Sequence, residues 1–203
     1  MSGCETDITA NHRDRCDSAA LCHSARTSSV APRQVGWARR CRLRGDGDGW
    51  VFDADGSRYW GRHGAAGLLL YTPSETSSVL VLLQHRAVWS HQGGTWALPG
   101  GARDSHESAV DTAVREADEE AGIDDAELTV RDELVTHRAP SGWTYTTVIA
   151  EVAAPLATTA NRESVELRWV SAEEVGDLAL HPAFAVSWPE LRSRLSAFSQ
   201  SDT

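Results

Sequence analysis

Two rhythms of apolar residues run along this chain, and the change between them places the elements. The runs AAGLLLY (65–71) and SVLVLLQHR (78–86) are short, nearly continuous and rich in Leu and Val, as strands covered on both faces are. A Pro/Ser/Thr loop separates them. Upstream, WVFDADGSRYW (50–60) sets two aromatic-rich arms around an Asp-Gly turn, the pattern of a β-hairpin. From about Asp104 to Ala121 the period lengthens to that of a helix. Val110, Ala113, Val114, Ala117 and Ala121 fall on one side of it, and the small alanines permit a close approach to a sheet. ELTVRDELVTHR (127–138), WTYTTVIAEV (143–152) and VELRWV (165–170) predict three more strands, and SAEEV (171–175) predicts a short helix after the last. WPELRSRLSAF (188–198) predicts a closing helix with Ser187 as N-cap, Pro189 in the first turn and Leu191, Leu195 and Phe198 along its buried stripe. Strands predominate with helices at intervals. The expected class is α/β, a mixed sheet with helices packed on its faces.

Residues 1–44 follow neither rhythm and are rich in Ser, Ala, Thr and Arg, so they are expected to be a mostly disordered extension of a single domain at 45–203. They carry eight Arg against four acids, which puts the acidity on the remainder of a chain whose net charge is −10. That charge argues against a duplex nucleic-acid partner. An acidic protein can still handle a phosphorylated small molecule when a metal ion mediates the contact. The longest apolar runs are strand-sized, which excludes a membrane-spanning helix, and no basic-then-apolar leader opens the chain, so a cytoplasmic location is expected. Cys4, Cys16, Cys22 and Cys41 all lie in the extension and fit no zinc spacing. No thiol nucleophile is therefore available to a site in the domain. The sequence has no internal repeat.

The candidate chemistry lies on the predicted helix. Asp104 with Glu107 three residues on resembles a capping box, with Ser105 as the alternative cap, and Gly122 supplies the stop. Glu116, Glu119 and Glu120 stand at i, i+3 and i+4 on a face adjoining the apolar one. Like charges at that spacing cost a few tenths of a kcal/mol per pair, and the helix dipole disfavours anions in the last turn. A solvated acidic face is the commonest fate of such a cluster. Here the group is expected to have no neutralising Lys or Arg at helical spacing, and the Pro-Gly-Gly turn ahead of it (99–101) can bring backbone carbonyls into the same space. Carboxylates with a carbonyl make the hard-oxygen set that Mg²⁺ or Mn²⁺ prefers.

The whole pattern is more specific. Gly101, five residues, Glu107, seven residues, then READEEAGI (115–123) resembles the signature box of the Nudix hydrolases. Seven such letters at fixed spacing would arise by chance on the order of once in a million chains of this size. Ala117 departs from the larger aliphatic residue more usual there. LPGG leads into the box, and Glu163, Glu166, Trp169 and Val170 follow it, so the likeness spans roughly 64–176. The resemblance implies the Nudix fold, an α/β/α sandwich with a mixed β-sheet, and Mg²⁺-dependent hydrolysis of a pyrophosphate bond in a nucleoside diphosphate derivative. It implies Glu116, Glu119, Glu120 and the Gly101 carbonyl as metal ligands, with Arg115 orienting the glutamates and Glu107 either in a structural, salt-bridging role or binding metal through water. The general base stays open among Glu116, Glu119, Glu120 and Glu163. Arg86 is a candidate phosphate contact, and Trp96 and Tyr145 lead the aromatics flanking the cleft as candidates for the base. A homodimer is a candidate assembly.

For the substrate, the compact build points to nucleoside triphosphates, oxidised ones included, cleaved to monophosphate and pyrophosphate. Pro140, about sixteen residues past the box, instead points to ADP-ribose or another nucleotide sugar. The asparagine with which the oxidised-nucleotide enzymes read a base has no counterpart in LHPAFAVSW (180–188). A catalytically silent Nudix-fold binding module is the alternative of another class. An isoprenoid diphosphate isomerase is excluded, since it would need a cysteine within the domain.

Overall fold

The computed structural model describes residues 45–73 and 79–201, with the side chains of 199–201 excepted; the expected extension at 1–44 lies outside the described residues. A small hairpin comes first, β1 (Trp50–Phe52) against β2 (Arg58–Trp60). The main sheet holds β3 (Ala65–Thr72), β4 (Leu80–Arg86), β5 (Trp96–Ala97), β6 (Gly100–Ala102), β7 (Thr129–Arg138), β8 (Thr144–Glu151) and β9 (Ser164–Ser171). α1 (Ala109–Ala121) follows β6, and α2 (Pro182–Ser201) closes the chain. Every residue of β3 is buried, and its alternation serves two layers. Leu68 and Leu70 pack with Ala113, Ala117 and Ala121 of α1. Leu69 and Tyr71 pack with Trp188, Leu191 and Leu195 of α2. The result is the expected α/β/α sandwich with a mixed sheet, in which β3 runs parallel to β8 and antiparallel to β4.

The sheet is split, and the split positions the site. β3 and β4 pair only at Tyr71↔Val81 and Thr72↔Leu80. Beyond that, β4 pairs with β9 along its length and β3 pairs with β6. The segment 96–102 crosses the opening, bonded to β4 through Trp96 and Ala97 and to β3 through Gly100 to Ala102. The Pro99 carbonyl accepts from Leu68 N (2.9 Å), so the Pro-Gly-Gly turn is fixed against the strand.

Three local expectations are corrected. α1 begins at Ala109, with Ser108 as N-cap in a capping box with Asp111. Asp104 cannot cap, because its Oδ1 accepts from Asp46 N (2.9 Å) and Gly47 N (2.7 Å) and so ties down the segment before the hairpin. SAEEV is not a helix: a turn leads into a single 3-10 turn at Val175–Asp177. α2 starts at Pro182 with Pro189 inside it, and Ser187 is not a cap, its hydroxyl donating to the Phe184 carbonyl (3.1 Å). Burying Phe184 and Trp188 on the same stripe outweighs the helical bond that an interior proline loses.

Candidate functional site

α1 carries the site because three alanines let it lie close on the sheet and Gly122 ends it in the left-handed conformation (φ 68°). Glu116 and Glu120 then face the Pro-Gly-Gly turn. Glu120 is buried, 4% exposed, and its Oε2 accepts from Gly100 N (2.8 Å). Burial, opposed by that hydrogen bond and aided by the charge of Glu116, pushes its carboxyl up to about 7. Glu116 is raised as well, again chiefly by burial. A Cβ on Gly101 would meet Glu116 Oε1 at 2.4 Å, so only glycine lets the backbone come this close to the carboxylate. Glu119 is exposed at the end of the helix.

Arg115 organises the group. Its Nε and Nη2 donate to the two carboxylate oxygens of Glu107 (2.7 and 3.0 Å), its Nη1 to Glu116 Oε1 (2.7 Å), and its Nη2 also to the Ala102 carbonyl (3.0 Å). Glu119 Oε2 lies 3.5 Å from Nη1, four residues along the helix. The expectation of a cluster without a neutralising cation at helical spacing is therefore corrected, since Arg115 stands at i−4 to Glu119. The guanidinium is held strongly charged, first by its bonds to Glu107. Burial would raise Glu107, yet Arg115, the Asp104 N–H and Thr112 hold it below its ordinary value. Glu107 is thus a strut that fixes Arg115.

Several residues separated in sequence meet here. Tyr145, half-buried on β8, directs its hydroxyl into the slot left by two glycines: a Cβ on Gly67 would lie 2.1 Å from it and one on Gly100 3.0 Å. Burial, with the charge of Glu120, raises that hydroxyl well above its ordinary value. Arg86, at the end of β4, lies close enough to act electrostatically on Glu120, Tyr145 and His181, and its Nε donates to the His91 carbonyl (3.2 Å). His181 was not singled out in the sequence. Burial, with Arg86 and His91 nearby, lowers it to about 4, so its Nδ1 stays neutral and accepts from Ala183 N (3.2 Å) at the start of α2. Only the fold could have placed it here, because no motif surrounds it.

Trp96 departs from its expected role. It is 7% exposed in the core, stacked on His85 (4.8 Å between centroids) and beneath the Arg168 guanidinium (4.4 Å), so its ring is taken up by the protein itself. Glu163 is exposed in the loop before β9, and its carbonyl accepts from Ala87 N (2.9 Å) beside Arg86. Among the described residues, the carboxylate and imidazole atoms that already converge within 4.8 Å are those of Asp46, Asp104 and His106. The Asp104 and Asp46 oxygens in that group accept backbone N–H bonds that latch two segments together, which accounts for their proximity. Of the α1 glutamates, Glu116 and Glu119 gather on Arg115 instead, while Glu120 is held by Gly100 N. No helix among the described residues is long and apolar enough to cross a membrane.

Comparison with known proteins follows the same residues. The NUDIX domain matches residues 61–190. A Mycobacterium tuberculosis protein provisionally named 8-oxo-dGTP diphosphatase 3 is 58% identical over 156 residues, 75% of this chain and 72% of that one. A Bifidobacterium longum nucleoside triphosphate pyrophosphatase/Nudix hydrolase fusion protein is 39% identical over 73% of this chain, though over only 32% of its own length. Among solved structures, the M. smegmatis Nudix hydrolase RenU is 59% identical with a TM-score of 0.71, covering 74% of this chain and 96% of that one.

Proposed function

The chain belongs to the Nudix hydrolase family and is a pyrophosphohydrolase, and from that premise we propose that it cleaves oxidised nucleoside triphosphates such as 8-oxo-dGTP to monophosphate and pyrophosphate in a Mg²⁺-dependent reaction. The observation that carries the reading is the packing of the buried Glu120 and half-buried Glu116 carboxylates against Gly100 and Gly101 at the split in the sheet, with Arg86 and Tyr145 beside them. The substrate choice is supported by the 58% identical relative and the activity in its name.

The residues fit a divalent cation. Glu116, Glu119, Glu120 and the Gly101 carbonyl are hard oxygen donors, two of the carboxylates disfavour ionisation without a counter-charge, and the missing Cβ at Gly101 leaves room for a carbonyl and a carboxylate together. They would hold Mg²⁺, with Mn²⁺ as a substitute; when bound, it neutralises phosphate charge and acidifies a water. The chain supplies the rest. Arg115 fixes Glu116 and Glu119 in register. Arg86 meets a phosphate oxygen at the open side, and Tyr145 lines the floor. Glu163 takes a proton from the attacking water, because the other carboxylates are committed as oxygen donors or to Arg115. The water oxygen forms the new bond to phosphorus, its proton passes to Glu163, and the bridging oxygen leaves with the bonding pair on the departing phosphate fragment.

The test is incubation with Mg²⁺ and a panel of 8-oxo-dGTP, unmodified dNTPs, ADP-ribose, NADH, nucleotide sugars and dinucleoside polyphosphates, with the products identified. Monophosphate and pyrophosphate formed preferentially from 8-oxo-dGTP supports the proposal. Preference for ADP-ribose, to which Pro140 points, overturns the substrate, and binding without turnover of any compound turns the reading toward a silent module.

A further inference from the structure

The loop that carries Glu163 does a second job, because it also caps the helix that carries the glutamates. The last turn of any α-helix leaves carbonyls without intrahelical partners. In α1, Gly122 N bonds the Asp118 carbonyl (2.9 Å), Thr159 N bonds that of Ala121 (2.9 Å), and the Asn161 side chain supplies Nδ2 to that of Glu119 (3.2 Å). The other end of the same carboxamide, Asn161 Oδ1, accepts from Glu163 N (2.8 Å). A single planar group thus joins the backbone of one site glutamate to the backbone of the acid on the facing loop.

The loop is fastened on its strand side too. Ser164 Oγ accepts from Nε2 of Gln84, a fully buried side chain of β4 (2.8 Å), and Ala87 N holds the Glu163 carbonyl (2.9 Å). Gln84 is also close enough to Glu120 to help lower its carboxyl. The β4–β9 ladder has a bulge between His85 and Arg86, where a strand end is re-aimed. An exposed loop acid would ordinarily sample many positions. Here its backbone is tied to α1 on one side and to β4 on the other.

We propose that Asn161 is a positioning residue for hydrolysis: by bridging the Glu119 carbonyl and the Glu163 N–H, it sets the distance between the carboxylate site on α1 and the proton-accepting carboxylate of Glu163, with the Gln84–Ser164 bond bracing the loop. The inference rests on the assignment of Glu163 made above. A proton acceptor must stand within hydrogen-bonding reach of the water, and a misplacement of about 1 Å can cost about a hundredfold in rate. Asn161 touches no reacting atom, so its effect should pass entirely through Glu163.

That dependence makes the test a double-mutant cycle on the full chain, reading kcat, KM, the kcat–pH profile and the thermal midpoint. Glu163→Gln should lower kcat about a hundredfold or more. Asn161→Ala should lower it at least tenfold, with KM within about twofold and the acid limb of the kcat–pH profile displaced. The double variant should be no slower than Glu163→Gln alone, because two residues acting through one group are not additive. Asn161→Asp, which keeps the acceptor for Glu163 N but cannot donate to the Glu119 carbonyl, should also be slow, and it carries the test if the alanine variant fails to fold. Wild-type kcat in the Asn161 variants, or a double variant slowed by the product of the two single effects, overturns the proposal. Full activity in Glu163→Gln removes the proton acceptor and this inference together, while leaving the carboxylate site, read separately through Glu120→Gln, intact.

Discussion

Glu120→Gln should make the metal-free protein more stable while abolishing its response to Mg²⁺. The buried Glu120 carboxyl is pushed up to about 7 from an ordinary 4.5, mainly by burial. That gap corresponds to about 3 kcal/mol between its charged and neutral forms. Below pH 4.5 the group is protonated in the folded and unfolded chains alike, and it costs nothing. As pH rises from 4.5 to 7 the unfolded chain ionises first, so stability is lost across that window and the full cost is reached above it. Glutamine cannot ionise, and its Oε1 can still accept from Gly100 N, so the variant should escape the penalty. In EDTA at pH 8 its melting midpoint should exceed that of the wild type by roughly 6–12 °C, given about 2–4 °C per kcal/mol for a domain of this size. At pH 4.5, where the unfolded group is half ionised, the two should differ by less than about 2 °C. Mg²⁺ at pH 8 should raise the wild-type midpoint by mass action and leave the variant unmoved. Calorimetry or circular dichroism melts at the two pH values, with and without Mg²⁺, settle it. A variant less stable than wild type at pH 8 without metal, or an undiminished Mg²⁺ shift, would refute the reasoning.

Two further outcomes follow from the same geometry. Gly101→Ala places a methyl 2.4 Å from Glu116 Oε1, and since the end of that side chain can swing aside, the fold should hold within about 1 kcal/mol while Mg²⁺-dependent kcat falls at least tenfold; a variant with wild-type turnover would show that the close approach is irrelevant. A chain starting at Gly45 should match the full-length protein in activity and melting midpoint, whereas one starting at Gly61, where the NUDIX match begins, should melt lower, because it loses the two backbone donors to Asp104 and the stacking of Tyr59 on Trp143. Equal midpoints for the two truncations would show that the hairpin adds nothing to the domain.

What the sequence settled by itself was whatever depends on neighbours along the chain. The continuous apolar run of β3 marked a strand buried on both faces, the alanines of α1 marked the side that lies on the sheet, and the spacing of Gly101, Glu107 and the Arg115–Gly122 cluster marked the family and the helix proposed to hold the metal. These are short-range facts, fixed by helical and strand periods. Helix boundaries were less legible, because tertiary demands intervened. Asp104 was drawn away from capping by Asp46 and Gly47, and the stripe of Phe184 and Trp188 carried α2 back past Pro189. Only the fold decided the long-range relations. It buried Trp96 beneath Arg168, brought Tyr145 to the glutamates and His181 to Arg86, and set Asn161 between Glu119 and Glu163. The reason is physical: how far a carboxyl is pushed up, or which rings remain free to stack, depends on burial and on groups far away in the chain, and those exist only once the two helices have packed on the faces of the split sheet.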